Sequence, residues 1–266
     1  MEEIAFAGRR WQVIDLSCAL DNATSAFEPT PHQIVYSDHR ANLARAADRF
    51  GLDPGWWPDG VAWASETVTL GTHSGTHMDA PYHYGPFSGG KPSRTMDLVP
   101  LNWCLGPGVR IDMRTASAKT GISAEDVQQA LGEIPYQLRP QDIVLIYTGA
   151  SAHFHEAGYH QHYAGLRRSA TQWLVEQGVR VIGIDAYGLD RPFAQMADDA
   201  RAGDTAQVWE SHLYGREREY LQIEKLANLG GIPVSHGFYV MAFPVKIAGA
   251  SAAWARAVAL CELSGK

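Results

Sequence analysis

The stretch His73-Ser-Gly-Thr-His77-Met-Asp79-Ala-Pro81-Tyr-His83 places three histidines and one aspartate within eleven residues. Their separations of four, two and four residues would turn all four side chains to one side of an extended chain, because side chains alternate along a strand. Gly75 and Pro81 bend that ideal. A helix could align His73 with His77, but Asp79 would leave its face, and Pro81 and the Gly-Thr pairs count against a helix. Two imidazoles and a carboxylate are a common ligand set for a catalytic divalent cation with positions left for water and substrate. A structural zinc site draws more often on thiolates. Isolated histidines ordinarily cap turns or bond to backbone; this density instead marks His73, His77 and Asp79 as metal ligands. His83 follows the redirection at Pro81, which leaves direct ligation, a structural hydrogen bond and proton transfer open to it.

Working outward, Val61–Leu70 alternates apolar and β-branched residues and reads as a strand delivering the chain into His73. Further strands are expected at Trp11–Leu16, Gly108–Met113, Asp142–Tyr147, Val179–Asp185, Phe238–Phe243 and Arg256–Leu263. Helices are expected over residues 39–50, from the capping-box-like Ser123-Ala-Glu-Asp126 to about Leu131, and over Leu166–Gln177, closed by Gly178. The last two each precede a strand, while other strands follow one another directly. That mixture predicts a mixed α/β fold with a curved sheet or barrel and excludes a doubly wound one. No linker, charge block or repeat interrupts residues 1–266, so a single domain is expected.

The 266 residues are 45% hydrophobic and 19% charged, ample for a large core. A net charge of −7 argues against an extended nucleic-acid surface and for a small-molecule partner. Met1-Glu-Glu-Ile begins no basic-then-apolar leader, and no apolar run approaches the roughly 20 residues of a bilayer span, so a soluble cytoplasmic protein without a membrane partner is expected. Cys18, Cys104 and Cys261 are far apart, odd in number and without a CxxC pair, which indicates neither a disulfide framework nor a zinc ribbon.

The segment Gly71-Thr-His-Ser-Gly-Thr-His-Met-Asp-Ala-Pro-Tyr-His83 resembles the HxGTHxDxPxH signature of the cyclase family of metal-dependent hydrolases. Bacterial kynurenine formamidases, isatin hydrolases and metal-dependent dienelactone hydrolases belong to that family, and every signature position is present here. The similarity extends to Asp15-Leu-Ser17, Val181-Ile-Gly-Ile-Asp185, His212 and Glu224. The resemblance implies a swivelling β/β/α, barrel-like arrangement, with an inserted helix and loop around residues 18–65. It implies His212 and Glu224 as additional ligands, Asp79 as a bridge between two cations, and His83 as the group that moves protons. Zinc or manganese, one ion or two, and a homodimer or homotetramer also follow from it. Local spacing would not have selected His212 or Glu224.

The expected reaction is hydrolysis of a small cyclic or aryl amide or ester (a lactone, lactam or formamide) by metal-activated water. Alternatives are a metal-dependent cyclase or lyase acting on a polyketide-like substrate and a non-catalytic, metal-stabilised binding module. A serine hydrolase is disfavoured because Thr148-Gly-Ala-Ser151-Ala lacks the Gly-x-Ser-x-Gly elbow. The chain departs from compact family members between Ser17 and Glu66. There Trp56 and Trp57, in a Gly- and Pro-rich loop, are candidates for substrate contact, a lid or interface, or satellite packing. His153-Phe154-His155 opens a second departure, running to His162, whose histidines could wall a pocket, bind metal or lie on the surface; His153 and Phe154 are its candidate substrate contacts.

Overall fold

Central strands that are apolar at every position set the layering of this protein. The computed structural model describes residues 2–28 and 31–263. Its contacts group the chain into two compact units, Met1–Leu20 with Thr72–Lys266, and Asp21–Gly71.

The first unit begins with a hairpin of Glu2–Phe6 (β1) and Arg9–Asp15 (β2). In the second unit, Gln33–Ser37 (β3) pairs antiparallel with Ser65–Thr69 (β4), and His39–Phe50 (α1) lies between them in sequence. Asp38 caps α1 by accepting from Ala41 N–H, and Gly51 closes it in the left-handed conformation. The strand expected over Val61–Leu70 is shortened to β4, since buried Asn42 takes the carbonyls of Ser37 and Trp63 with its amide group. Among the described residues it pairs only with β3, in its own two-stranded sheet.

The chain then returns to the first unit through His77–Asp79 (β5), Pro81–Tyr84 (α2) and a short hairpin of Phe87–Ser88 (β6) and Lys91–Pro92 (β7). Next come Leu105–Asp112 (β8), Ala124–Gly132 (α3), Ile143–Tyr147 (β9), Arg168–Glu176 (α4) and Val181–Ile184 (β10). Phe193–Arg201 (α5), Glu210–Tyr214 (α6) and Leu221–Glu224 (β11) lead to His236–Met241 (β12), Ala252–Trp254 (β13) and Val258–Glu262 (β14). The capping box expected at Ser123 forms, with Asp126 closing it.

Ten strands make one sheet in the order β1-β2-β14-β12-β8-β9-β10-β11-β5-β13, with β8 to β11 parallel and the remaining pairs antiparallel. β14 is third in that order and β13 tenth. In a flat sheet they would stand about 33 Å apart, at about 4.8 Å per strand. Yet Trp254 and Val258 are four residues apart, a length of chain that spans at most about 14 Å. The sheet therefore curls back on itself, and Leu16 N–H bonds to Ala257 while Ser17 bridges to Leu226 beyond β11.

Alternate residues of the central strands feed two cores. Val144, Ile146, Ile182 and Ile184 pack with Val127 and Leu131 of α3 and Ala170 and Leu174 of α4. Ile143, Leu145, Val181 and Ile223 face inward against Ile14, Phe238, Val240 and Ala259 from β2, β12 and β14. Strands buried on both faces carry continuous apolar runs, as parallel strands between layers must. The result is the mixed α/β, barrel-like β/β/α arrangement that the sequence led us to expect. Among the described residues, no helix is long and apolar enough to cross a membrane.

Gly165 tests the packing beside the loop after β10. A Cβ there would lie 2.1 Å from the backbone carbonyl carbon and oxygen of Asp190, whereas one at Gly132 would meet nothing within 4 Å. Gly165→Ala is expected to lower the unfolding midpoint by about 2–10 °C. Gly132→Ala is expected to leave it equal or slightly raised. Thermal unfolding followed by circular dichroism compares the two.

Candidate metal centre

The His73–His83 stretch is not one extended segment. Only His77 to Asp79 are strand; residues 72–76 turn and Pro81 opens α2. The turn needs glycine at position 75, where φ is +60° and a Cβ would lie 2.6 Å from Leu20. Thr76 ties it down, its hydroxyl donating to the Lys225 carbonyl and accepting from Cys18 N–H. Alternation therefore aligns His77 with Asp79, as the spacing suggested, while His73 arrives from the turn and His83 from the helical segment after Pro81.

Pairing across strands brings the distant candidate Glu224 to the signature, and α6 brings His212. β5 runs antiparallel to β11, with His77 directly opposite Glu224. Glu224 is the last residue of β11, so its carboxylate sits at the carboxyl end of the parallel strands, where open α/β sheets usually place their chemistry. His77 Nε2 lies 3.3 Å from Asp79 Oδ1 and 3.5 Å from Glu224 Oε2. His212 on α6 brings Nε2 to 3.8 Å from both Asp79 Oδ2 and Glu224 Oε1. His73 Nδ1 approaches Asp79 Oδ1 at 2.9 Å. Among the described residues, two sets of ligand atoms converge within 4.8 Å: His73, Asp79 and His83, and His77, Asp79 and Glu224.

Each of the first three histidines has its other ring nitrogen engaged. His77 Nδ1 donates to the Gly75 carbonyl at 2.8 Å, and His212 Nδ1 donates to Asp190. His73 Nε2 meets Ser251 Oγ at 3.2 Å. Such outer contacts fix the tautomer and aim the free nitrogen, an arrangement typical of metal-binding imidazoles. Asp190 also accepts the backbone N–H groups of Ser211 and His212, so one carboxylate both caps α6 and orients its histidine. The preceding residue, Leu189, donates its N–H to Glu224 Oε1 at 2.8 Å.

The electrostatics favour positive charge at the centre. His77 Nε2 and both Asp79 oxygens are buried without a hydrogen bond of good geometry, which is costly unless something charged lies between them. Without metal, protons supply the charge. Burial alone would lower the His212 pKa, but Asp190 and Asp79 carry it up to about 10. Burial likewise opposes a charged His77, and the carboxylates of Asp79 and Glu224 outweigh it and raise its pKa. Asp79 is held well below the usual carboxylate range because His77, His212 and His73 overcome its burial. Glu224 is raised by burial and by Asp79. A divalent cation fits this donor set, since it would satisfy the unpaired atoms and replace those protons.

Comparison with known proteins agrees with the geometry. The model of the Cyclase family matches residues 14–191, more than half of the chain. The chain belongs to the Cyclase family. It is 29% identical over 216 residues to a kynurenine formamidase of Maricaulis maris (strain MCS10), covering 76% of this chain and 90% of that protein. Among solved structures, an isatin hydrolase bound to the product analogue thioisatinate matches with a TM-score of 0.73 at 21% identity, covering 95% of this chain and 93% of the other. A potential metal-dependent hydrolase with cyclase activity matches with a TM-score of 0.64 at 20% identity, covering 94% and 98%. At these identities the two structures speak for the Cyclase fold.

The remaining candidates of this Cyclase-family chain belong to neither converging ligand set among the described residues. Trp56 and Trp57 belong to the second unit, where Trp56 is 71% exposed and Trp57 packs on Trp63 with ring centroids 5.6 Å apart. His153 is exposed and paired with Glu156 at 2.9 Å. Phe154 is buried in the helix-side core against Tyr159. No residue of the 153–162 cluster belongs to either converging ligand set among the described residues. Sequence reading passed over Asp190, Ser251 and Trp209. The last stacks on His212, with centroids 4.3 Å apart and planes 14° apart. A lone Asp, Ser or Trp far from the signature carries no local mark of such a role.

Replacing Asp190 with Asn removes the charge that holds His212 Nδ1–H. Asp190→Asn is expected to weaken binding of zinc or manganese by about 10- to 100-fold, read by calorimetric titration of the metal-free protein. Unchanged affinity would remove His212 from the ligand set.

Proposed function

We propose that this chain is a metal-dependent hydrolase that cleaves a small cyclic or aryl amide or ester, of the lactone, lactam or formamide type, with water. The observation that carries this reading is the buried Asp79–Glu224 pair, with both Asp79 oxygens and His77 Nε2 left without a hydrogen bond and His212 Nε2 3.8 Å from each carboxylate. The names of the formamidase and isatin hydrolase relatives support the amide class.

His73, His77, Asp79, His212 and Glu224 would hold one or two ions, zinc or manganese, with Asp79 placed to serve both halves of the centre. When bound, the cation supplies Lewis acidity, lowering the pKa of water and polarising a carbonyl. Burial of the centre at Asp79 and His77 strengthens that field by excluding bulk solvent. His83 has a different task. Burial pushes its pKa down to about 4 in the metal-free site, which leaves its imidazole neutral near pH 7 and able to accept a proton. It would take a proton from the attacking water and return it to the departing nitrogen or oxygen. The homodimer or homotetramer implied by family resemblance belongs to the same proposal and is measurable by sedimentation.

His83→Ala is expected to keep its bound metal while losing about 10²- to 10⁴-fold in kcat. Elemental analysis and steady-state kinetics on formanilides, isatin and simple lactones measure both. Loss of metal in that variant would make His83 a ligand instead. Chelation is expected to abolish turnover, and readdition of zinc or manganese to restore it; full activity in verified metal-free protein would end the proposal. Product mass decides the reaction class, because hydrolysis adds one water and a cyclase or lyase does not. A protein that binds metal but turns over none of the panel would favour a binding module.

A further inference from the structure

We propose that Trp209 is the positioning residue that orients His83 for proton transfer, taking the place that a polar acceptor takes beside the other histidines of the site. The inference rests on the reading above, in which His83 moves the proton.

His73, His77 and His212 are each aimed by a polar contact, from Ser251, Gly75 and Asp190 respectively. His83 differs. Among the described residues its side chain makes no hydrogen bond, and its ring is held by packing alone. Its neighbours are His73 at 4.1 Å, Trp209 at 5.3 Å, His212 at 5.4 Å and Tyr84 at 6.0 Å between centroids. Two of these are ligand histidines, and Tyr84 is the next residue in the chain. Among the described residues in ring contact with His83, Trp209 is the one brought in from a separate element without a ligand role of its own.

Its backbone shows that this placement is imposed. Trp209 adopts φ 53°, ψ 42°, the left-handed region that a bulky residue occupies only under strain. Such strain persists where surrounding contacts fix it, and it concentrates at functional sites. Here the N–H of Trp209 points to Met196 Sδ and its carbonyl accepts the Leu213 N–H that begins α6. The indole then lies flat on His212, at 14° between planes, and meets His83 edge to face at 82°. One rigid ring thus spans the far ligand and the proton-transfer histidine.

This contact matters because His83 stands between two roles. A ring nitrogen of His83 lies within 4.8 Å of candidate ligand atoms of His73 and Asp79, close enough for the ring to serve either role. An aromatic wall that restricts rotation of the ring keeps the imidazole available for the proton, with no acceptor competing for its nitrogens.

Steady-state kinetics of Trp209→Phe, Trp209→Leu and Trp209→Ala, alone and combined with His83→Ala, test the proposal on two substrates. Formanilide has a leaving group that needs a proton; 4-nitrophenyl formate has one that leaves without it. Trp209→Ala and Trp209→Leu are expected to lower kcat on formanilide by about 10- to 100-fold, with KM within about threefold and metal content unchanged, and on 4-nitrophenyl formate by under about threefold. Trp209→Phe is expected to retain most activity, and Trp209→Ala to cost nothing further once His83 is alanine. Equal losses on both substrates, additivity with His83→Ala, or a fall in bound metal would overturn the proposal. Nitrogen NMR of 15N-histidine-labelled protein supplies a readout independent of turnover: one His83 tautomer in the unaltered chain and a mixture in Trp209→Ala. An unchanged His83 signal in that variant overturns the role of Trp209. Failure of the unaltered protein to hydrolyse either substrate bears instead on the hydrolase reading.

Discussion

Asp79 and Glu224 are buried beside one another in a pocket of imidazoles, and such a pair of carboxylates can be kept from water only if positive charge is held with them. The rest of the site is arranged around that constraint. The antiparallel pairing of β5 with β11 puts His77 opposite Glu224, and α6 brings His212 to equal distances from the two carboxylates. Protons meet the requirement in the metal-free protein, as the raised pKa of His77 and His212 shows. A divalent cation meets it with more charge and a defined geometry.

The six residues from Asp185 to Asp190 connect the fold to this chemistry. Asp185 accepts from Thr148 and Gly149 and so fastens the end of β9 to the end of β10. Leu189 and Asp190, a few residues on, hold Glu224 and His212. The apolar strands β9 and β10, buried on both faces, give these short polar residues a rigid base, and rigid support is what keeps ligand atoms at fixed separations. Gly165 lets the chain pass against Asp190 itself. Core packing and ligand orientation are thus coupled at one loop.

Much of the architecture could be read from residue order. The helix over residues 39–50, the capping box at Ser123 and the apolar runs of β9 and β10 lie within a few residues of their expected positions, because each depends on local capping or periodicity. β5, β11 and β13 have only three or four residues, too few for periodicity to show. The strand expected to lead into His73 is shortened to β4, which ends at Thr69 and pairs with β3 in the second unit, while Asn42 takes the carbonyl of Trp63. Of the loop tryptophans offered for substrate contact, a lid or packing, Trp56 is mostly exposed.

By itself the sequence marked out the candidate centre: a signature dense in histidine and aspartate, a Gly-Thr turn, and a proline that redirects the chain before His83. These are properties of adjacent residues, so they survive without knowledge of the fold. Only the tertiary structure decided which far residues join them. His212 and Glu224 could be named from family resemblance, but their distances, their holders Leu189 and Asp190, and the strained Trp209 beside His83 come from strand pairing and the curl of the sheet. Those contacts span more than a hundred residues of chain in the case of His77 and Glu224, a separation over which local sequence pattern carries no information.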